Sequence, residues 1–444
     1  SRFDRPSPDS LRRANDPRLR SSAVSGSGSI EGVINGNDGN DILNVQLSAG
    51  QAAGIVNFAG GAGTDSVTIS NAAGDTTTFL TATYSPAQDV PGQGIFDQII
   101  AGNNVVINYA SSESVTTSAR TSTLLVNGSG LDETIQLGNG TFAVGGFTPV
   151  NYSNVGNVTV NGQAGNDTVN LNNFSTTGML SISAEYVTSA PGATLTADTL
   201  FLNGVGQFGA AGSFIDTNIV TLRLAGTGTT YVNETNDLNI NTTGDVTNSG
   251  TFRVVNGTTT LDAGGGSLTL DGADNDFYRV VSNNVASLVL RDRNAIAFGN
   301  LTANSIHLTT ATGIGAPAAD GSGAPNGQFE THTANLTIVN GSGGVYVTNF
   351  GSVTTSITNF GDIGYINIGN LIIDRLYTGG ENFLDRSLYR NVFLSVSAGS
   401  VQGIQGVPRR SIYDTPDITA FELTAFILGG GGFGTAGRPI SISV

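Results

Sequence analysis

The feature that most constrains this chain is a period-two alternation that recurs in short bursts along most of its length. Asp41-Ile-Leu-Asn-Val-Gln-Leu47, Ser66-Val-Thr-Ile-Ser70, Asn157-Val-Thr-Val-Asn161, Asp167-Thr-Val-Asn-Leu171, Ser267-Leu-Thr-Leu-Asp271, Ser287-Leu-Val-Leu-Arg291 and Asn335-Leu-Thr-Ile-Val339 each alternate apolar with polar side chains. Successive side chains of a strand point to opposite faces, so each burst buries one face and wets the other. Helices are excluded by the same pattern, because i, i+3, i+4 periodicity is missing and Gly or Asn interrupts nearly every ten residues.

Which all-β architecture follows depends on how much side chain is available to fill a core. Aromatic residues make up only 7% of the chain, Trp is absent, and Gly reaches 62 of 444 residues. A sandwich needs thick inter-sheet packing, whereas a solenoid needs only short rungs stacked on like rungs and held by ladders of Asn, Thr and Val. The sequence therefore predicts a right-handed parallel β-helix, a β-solenoid. Leu222-Arg-Leu-Ala-Gly-Thr-Gly-Thr-Thr-Tyr-Val-Asn233 and Leu336-Thr-Ile-Val-Asn-Gly-Ser-Gly-Gly-Val-Tyr-Val-Thr348 form a weak internal repeat in support of it.

Three segments are expected. Residues 1–29 carry Arg2, Arg5, Arg12, Arg13, Arg18 and Arg20 against Asp4, Asp9 and Asp16, with almost no alternation. They read either as a disordered terminus or as a basic arm that lies on an acidic neighbour. Residues 30–370 form the solenoid body, from which the Gly- and Pro-rich segments 85–94 and 313–327 are expected to protrude. Residues 371–444 gather Arg and aromatic side chains and read as a cap or docking segment, since a solenoid end must be covered or docked. Phe421, Phe426, Ile440 and Ile442 lie in alternating stretches there and are, with the six Arg of the arm, the candidate assembly residues.

Charge and composition exclude several functions. All 18 basic residues are Arg, and the net charge of −16 repels a nucleic-acid backbone. There is no apolar stretch long enough for a membrane span, and with no Cys there is neither disulfide nor thiol chemistry. The chain opens on Ser1 without Met or an apolar leader, as expected of a processed or trimmed product.

One motif carries potential metal chemistry. Gly60-Gly-Ala-Gly-Thr-Asp-Ser-Val-Thr68 fits the nonapeptide of calcium-binding β-rolls; Gly36-Asn-Asp-Gly-Asn-Asp-Ile-Leu-Asn44 and Gly162-Gln-Ala-Gly-Asn-Asp-Thr-Val-Asn170 fit with one Gly replaced, and Asn127-Gly-Ser-Gly-Leu-Asp-Glu-Thr-Ile135 is looser. Asp38, Asp41, Asp65, Asp132 and Asp167 are thus candidate calcium ligands. Because the copies are not tandem, each reads first as a corner that starts a strand, with calcium as the alternative, and no other cofactor is implied.

Enzymatic β-helices cluster carboxylates and bases on one face. Asp271, Asp274 and Asp276 lie near Arg279, Arg291, Asp292 and Arg293, but no Lys and no nucleophile constellation accompanies them, so the chain is expected not to be an enzyme. His307 and His332, the only two His, read as solvated strand positions.

The segments Leu288 to Leu308, Thr312-Gly-Ile-Gly-Ala-Pro317 and Leu336 to Val353 resemble the β-helical repeats of filamentous haemagglutinin-type exoproteins. That resemblance implies a right-handed parallel β-helix at the cell surface or outside the cell, acting as filament or adhesin. The family's Asn-Pro-Asn-Gly-Ile secretion signature is absent. The expected function is a secreted structural subunit of a filament or sheath whose partners are copies of itself; the alternatives are a surface adhesin that binds glycans and, third, a polysaccharide-active enzyme.

Overall fold

Wherever apolar and polar side chains alternate, the backbone is extended, and the computed structural model contains strands and no helix among its described residues. Those residues are 22–25, 31–48, 52–86, 94–100, 103–226, 228–319, 321–326, 329–379, 390–404, 416–435 and 437–444. The chain is therefore all-β. It divides into two units, Ser1–Gly209 with Ile215–Ile219, and Ala210–Phe214 with Val220–Val444.

In the first unit two ladders grow side by side as the chain alternates between them. One runs through Ser22–Ser25, Ile42–Leu47, Ser66–Asn71, Ser114–Thr117 and Val150–Tyr152, each parallel to the last. It continues through Thr134–Gly138, Thr168–Asn172 and Tyr186–Ser189. The other contains Glu31–Asn35, Gly54–Ala59, Asn103–Ala110, Phe79–Pro86, Thr121–Asn127, Val155–Asn161 and Met179–Ser183. A parallel strand cannot be reached by a tight hairpin, so each layer must travel through the opposite ladder before it returns. Each ladder also holds one reversed strand, Gly94–Ile100 in one and Thr141–Val144 in the other, paired antiparallel on both sides. Alternation alone did not predict these reversals, because a strand reads the same in either direction.

All described strand pairings of the second unit are parallel. Leu238–Thr242, Thr251–Asp262, Asp276–Arg291, Ala297–Thr310, Asn335–Asn340, Val353–Asn359 and Leu371–Thr378 follow one another. Beside them run Val345–Phe350, Ile363–Ile368, Val392–Ser397 and Leu423–Leu428. The second unit's ladder thus passes through Leu371, and in the first unit a separate ladder includes Ser22–Ser25, which falls within the stretch read as an arm.

Inward side chains stack on their own kind at the 4.7–4.9 Å strand spacing. Leu43 lies opposite Val67 and Val45 opposite Ile69, all essentially inaccessible to water. Buried polar positions are paired in the same way. The Asn340 amide donates to Asn359 Oδ1 at 2.6 Å and the Asn349 amide to Asn367 Oδ1 at 2.9 Å, while Thr310 and Thr331 donate to Asn340 and Asn349. These are the Asn and Thr ladders that a thin core needs.

The abundance of Asn and Asp has a second cause at the corners. The side-chain oxygen of one layer repeatedly accepts a backbone N–H of the next: Thr64 to Asn40, Asn166 to Asp132 and Met179 to Asn157 in the first unit. In the second, Thr258 donates to Asp237, Ser267 to Asp245, Asn391 to Asp362, Ser400 to Asn370 and Ser441 to Asp417, at 2.7–3.1 Å. Corners leave N–H groups outside the strand ladders, and these staples satisfy them.

The segment 313–327 was expected to protrude; among its described residues Ile314 and Gly323 meet the sheet, while Ala316, Pro317, Ala319, Gly321 and Ser322 are exposed. Ile314 bridges both Ile296 and Val345. A Cβ on Gly364 would collide with the Gly323 carbonyl oxygen, so the loop tip rests on the strand Ile363–Ile368. Tyr346, on the same outer face, is only 9% exposed.

Candidate functional site

The nonapeptide corners show why the motif takes its form. The first Gly of each copy sits against the acid five residues later: a Cβ on Gly36 would lie 2.6 Å from Asp41 Oδ2, on Gly128 2.8 Å from Glu133 Oε2, and on Gly162 2.5 Å from Asp167 Oδ2; on Gly60 it would collide with Asp65 Oδ2. Only Gly leaves room for the carboxylate to turn inward. Once inside, it accepts a backbone N–H from the preceding layer: Asp41 N–H donates to Asp65 Oδ1 at 2.7 Å and Asp65 N–H to Glu113 Oε2 at 2.5 Å. The same step recurs from Glu133 to Asp167 at 3.0 Å and from Asp167 to Glu185 at 2.8 Å. Two staircases of stacked carboxylates result.

These carboxylates are poorly compensated. Asp41, Asp65 and Asp167 are at most 5% exposed, and the Oδ2 of each is buried without a hydrogen-bond partner. Burial raises the Asp65 carboxyl above its ordinary range, and the charges of Glu113 and Asp41 add to the rise. Asp167 is pushed up to about 6, first by burial and then by Glu133, Glu185 and Asp132, against the lowering effect of the Glu133 N–H.

Of the five predicted ligands, the structure brings Asp41 next to Asp65 and Asp132 near Asp167. Asp38 is exposed in a turn where it bridges Ala62, and Asp132 is exposed and staples Asn166. Glu113, Glu133 and Glu185 belong to the staircases but escaped the sequence reading. The spacing from Gly128 to Glu133 was the available signal, hidden by the adjacent Asp132. Calcium requires six to eight oxygens. No group of three or more His, Cys, Asp or Glu able to hold a metal occurs among the described residues, and Asp65 and Asp167 each already give one oxygen to a backbone N–H. The donor set as placed therefore does not make a calcium cage.

The candidate assembly residues divide. Arg2, Arg5, Arg12, Arg13, Arg18 and Arg20 lie outside the described residues. The carboxy-terminal ones form the last layer of the second unit. Among the described residues Leu423–Leu428 pairs only with Val392–Ser397, and Ile442–Ser443 only with Ile418–Thr419. There Phe421 is 66%, Phe426 50%, Leu428 55% and Ile442 43% exposed, and Ile440 is half-buried. Phe426 packs at 5.8 Å against Phe393 of the layer before.

The acidic cluster near residue 274 is resolved into separate roles. Asp276 is paired with Arg293 at 2.8 Å and accepts from Asn294, while Asp271 and Asp274 are exposed. Asp292 is 2% exposed and accepts N–H groups from Phe277 and Asn294, so it cannot touch a substrate. On the outward face beside Asp276 stand Arg253, 3.9 Å above the ring of Phe214, and Tyr231, edge-on to that ring.

The fold and site define an all-β protein of stacked, largely parallel layers. In comparisons with known proteins, residues 216–284 match a family described as repeats of unknown function (DUF5649). No curated protein and no solved structure matches the chain.

Proposed function

We propose that the chain is a right-handed parallel β-helix serving as a secreted structural subunit of an extracellular filament or sheath, joined end to end with copies of itself through its amino-terminal arm and carboxy-terminal strands. The stacked parallel layers, with apolar side chains exposed along Leu423–Leu428, support this reading. A strand edge with free N–H and C=O groups and a row of uncovered apolar side chains is a template for another chain. Leu423, Ala425 and Ile427 occupy the register of the buried Val392, Leu394 and Val396, so a further layer would restore the burial they lack. Burying them and the neighbouring Phe and Leu side chains contributes roughly 25 cal/mol per Å² of apolar surface.

The test is sedimentation velocity on the full chain and on Phe426→Asp/Leu428→Asp. The parent is expected to form concentration-dependent assemblies and the variant to remain monomeric. Assemblies of unchanged size in the variant would remove the final layer from the contact. Deleting residues 1–21, which leaves Ser22–Ser25 in place, tests the arm by the same readout.

A second reading, a surface adhesin that binds glycans, is favoured by the outward row Tyr231, Arg253 and Asp276 with Tyr278, which is 61% exposed. Rings beside charged hydrogen-bonding groups suit sugar recognition. This row is the place to test in that case, by glycan binding of Arg253→Ala.

A further inference from the structure

The two reversed strands of the first unit make pairs that are local in sequence. Gly138 pairs with Thr141 and Phe142 with Val150, while Ile100 pairs with Asn103 and Pro86 with Gly94. Every other described strand pairing of that unit is parallel, and there a partner lies a coil or more away, as with Leu43 and Val67, Thr134 and Thr168, or Gly54 and Val105. Closing a short loop costs less chain entropy than closing a long one, and a parallel pair cannot be reached by a tight hairpin. The local pairs are therefore the first order this unit can form at low entropic cost.

The reversals are also matched. Gly94–Ile100 lies between Phe79–Pro86 and Asn103–Ala110, and Thr141–Val144 lies between Thr134–Gly138 and Val150–Tyr152. Each is thus the middle of a three-stranded meander that adds two strands to its ladder, and a meander on one ladder alone would leave two strands without a facing layer. The two meet inside. The ring of Tyr84 stands edge-on to Phe142 with centroids 5.0 Å apart, and Phe142 lies 6.0 Å from Tyr152. Tyr109 lies across Gly94, its antiparallel partner, where a Cβ would collide with its hydroxyl and ring. Tyr84, Phe142 and Tyr109 are at most 3% exposed, and Phe79 is fully buried in the same strand as Tyr84. Bulky side chains that are scarce in the chain as a whole are gathered where its pairing is local.

We propose that the two facing meanders fold first, as one element, and that the parallel layers of the first unit then stack on their outer strands. On one ladder Asn103–Ala110 takes Gly54–Ala59 and Phe79–Pro86 takes Thr121–Asn127. On the other, Val150–Tyr152 takes Ser114–Thr117 and Thr134–Gly138 takes Thr168–Asn172. Growth proceeds layer by layer in both directions, because each repeat needs only its neighbour.

The test is pulse-labelled hydrogen exchange during refolding of the full chain, read by mass spectrometry of its peptides. Amides of Phe79–Pro86, Asn103–Ala110, Thr134–Gly138 and Thr141–Val144 are expected to gain protection together, before those of Ile42–Leu47 and Thr168–Asn172. Phe142→Leu removes the ring that meets Tyr84. It is expected to delay protection of Phe79–Pro86 as well as of its own meander by about tenfold, the rate effect of about 1.4 kcal/mol lost in the transition state. Leu43→Val, in a parallel layer, is expected to leave both delays unchanged and to speed unfolding instead. Protection of either parallel strand before the meanders, or together with them, overturns the proposal, as does a Phe142→Leu delay confined to residues 134–152. The order of protection in the parent decides the matter even where Phe142→Leu does not fold.

Discussion

Asp292 offers a quantitative test of how the second unit buries its acids. Its carboxyl is 2% exposed and accepts N–H groups from Phe277 and Asn294, both at 2.8 Å. Burial nevertheless dominates and, with the charge of Asp276, pushes it up from 3.8 to about 6, against the two N–H groups and Arg293. A folded value above the unfolded one means that the native state holds the proton more tightly. Its contribution to stability is full below the unfolded value of 3.8 and is lost as pH rises toward about 6. A shift of this size corresponds to about 3 kcal/mol. Asp292→Asn abolishes the titration. It also leaves one of the two N–H groups without an acceptor, a cost of about 1–3 kcal/mol that does not depend on pH. Urea unfolding of parent and variant should therefore show the variant gaining about 3 kcal/mol on the parent between about pH 4 and pH 7. A difference that stays constant within about 1 kcal/mol over that range would refute the reasoning.

Other perturbations address the remaining contacts. Asp167→Asn keeps an acceptor for the Glu133 N–H and removes a charge repelled by Glu133, Glu185 and Asp132, so the thermal midpoint should rise more at neutral pH than below the value of about 6. Asn275 takes a Phe252 N–H in the same way in the second unit, which shows that a carboxamide can accept from the preceding layer. Gly162→Ala places a Cβ 2.5 Å from Asp167 Oδ2 and should cost about 1–3 kcal/mol in urea unfolding. Asn359→Ala removes the acceptor of the buried Asn340 amide and should cost a similar amount, about 1–3 kcal/mol. Calcium or a chelator should leave the thermal midpoint unchanged; a rise with calcium that Asp65→Asn abolishes would show that the staircase gathers oxygens for a metal.

The strands were legible because burial acts on single residues, and period-two alternation records it directly at Leu43, Val45 and Leu47. Stacking was legible from the shortage of aromatic side chains and the abundance of Asn and Thr. Strand direction was not: Gly94–Ile100 and Thr141–Val144 alternate like their neighbours and run the other way. The corner acids were half legible. The Gly-to-acid spacing identifies Asp41, Asp65 and Asp167, but Glu113 and Glu185 have no such Gly before them and are placed only by register. The contact of Gly323 with the sheet is made at Gly364, which is distant in sequence and unremarkable within its strand.

The central claim, that copies of this chain join end to end, is tested most directly by electron microscopy of the purified, unmodified protein over a range of concentrations. Filaments that lengthen with concentration are the predicted result. Discrete single particles at every concentration would contradict it.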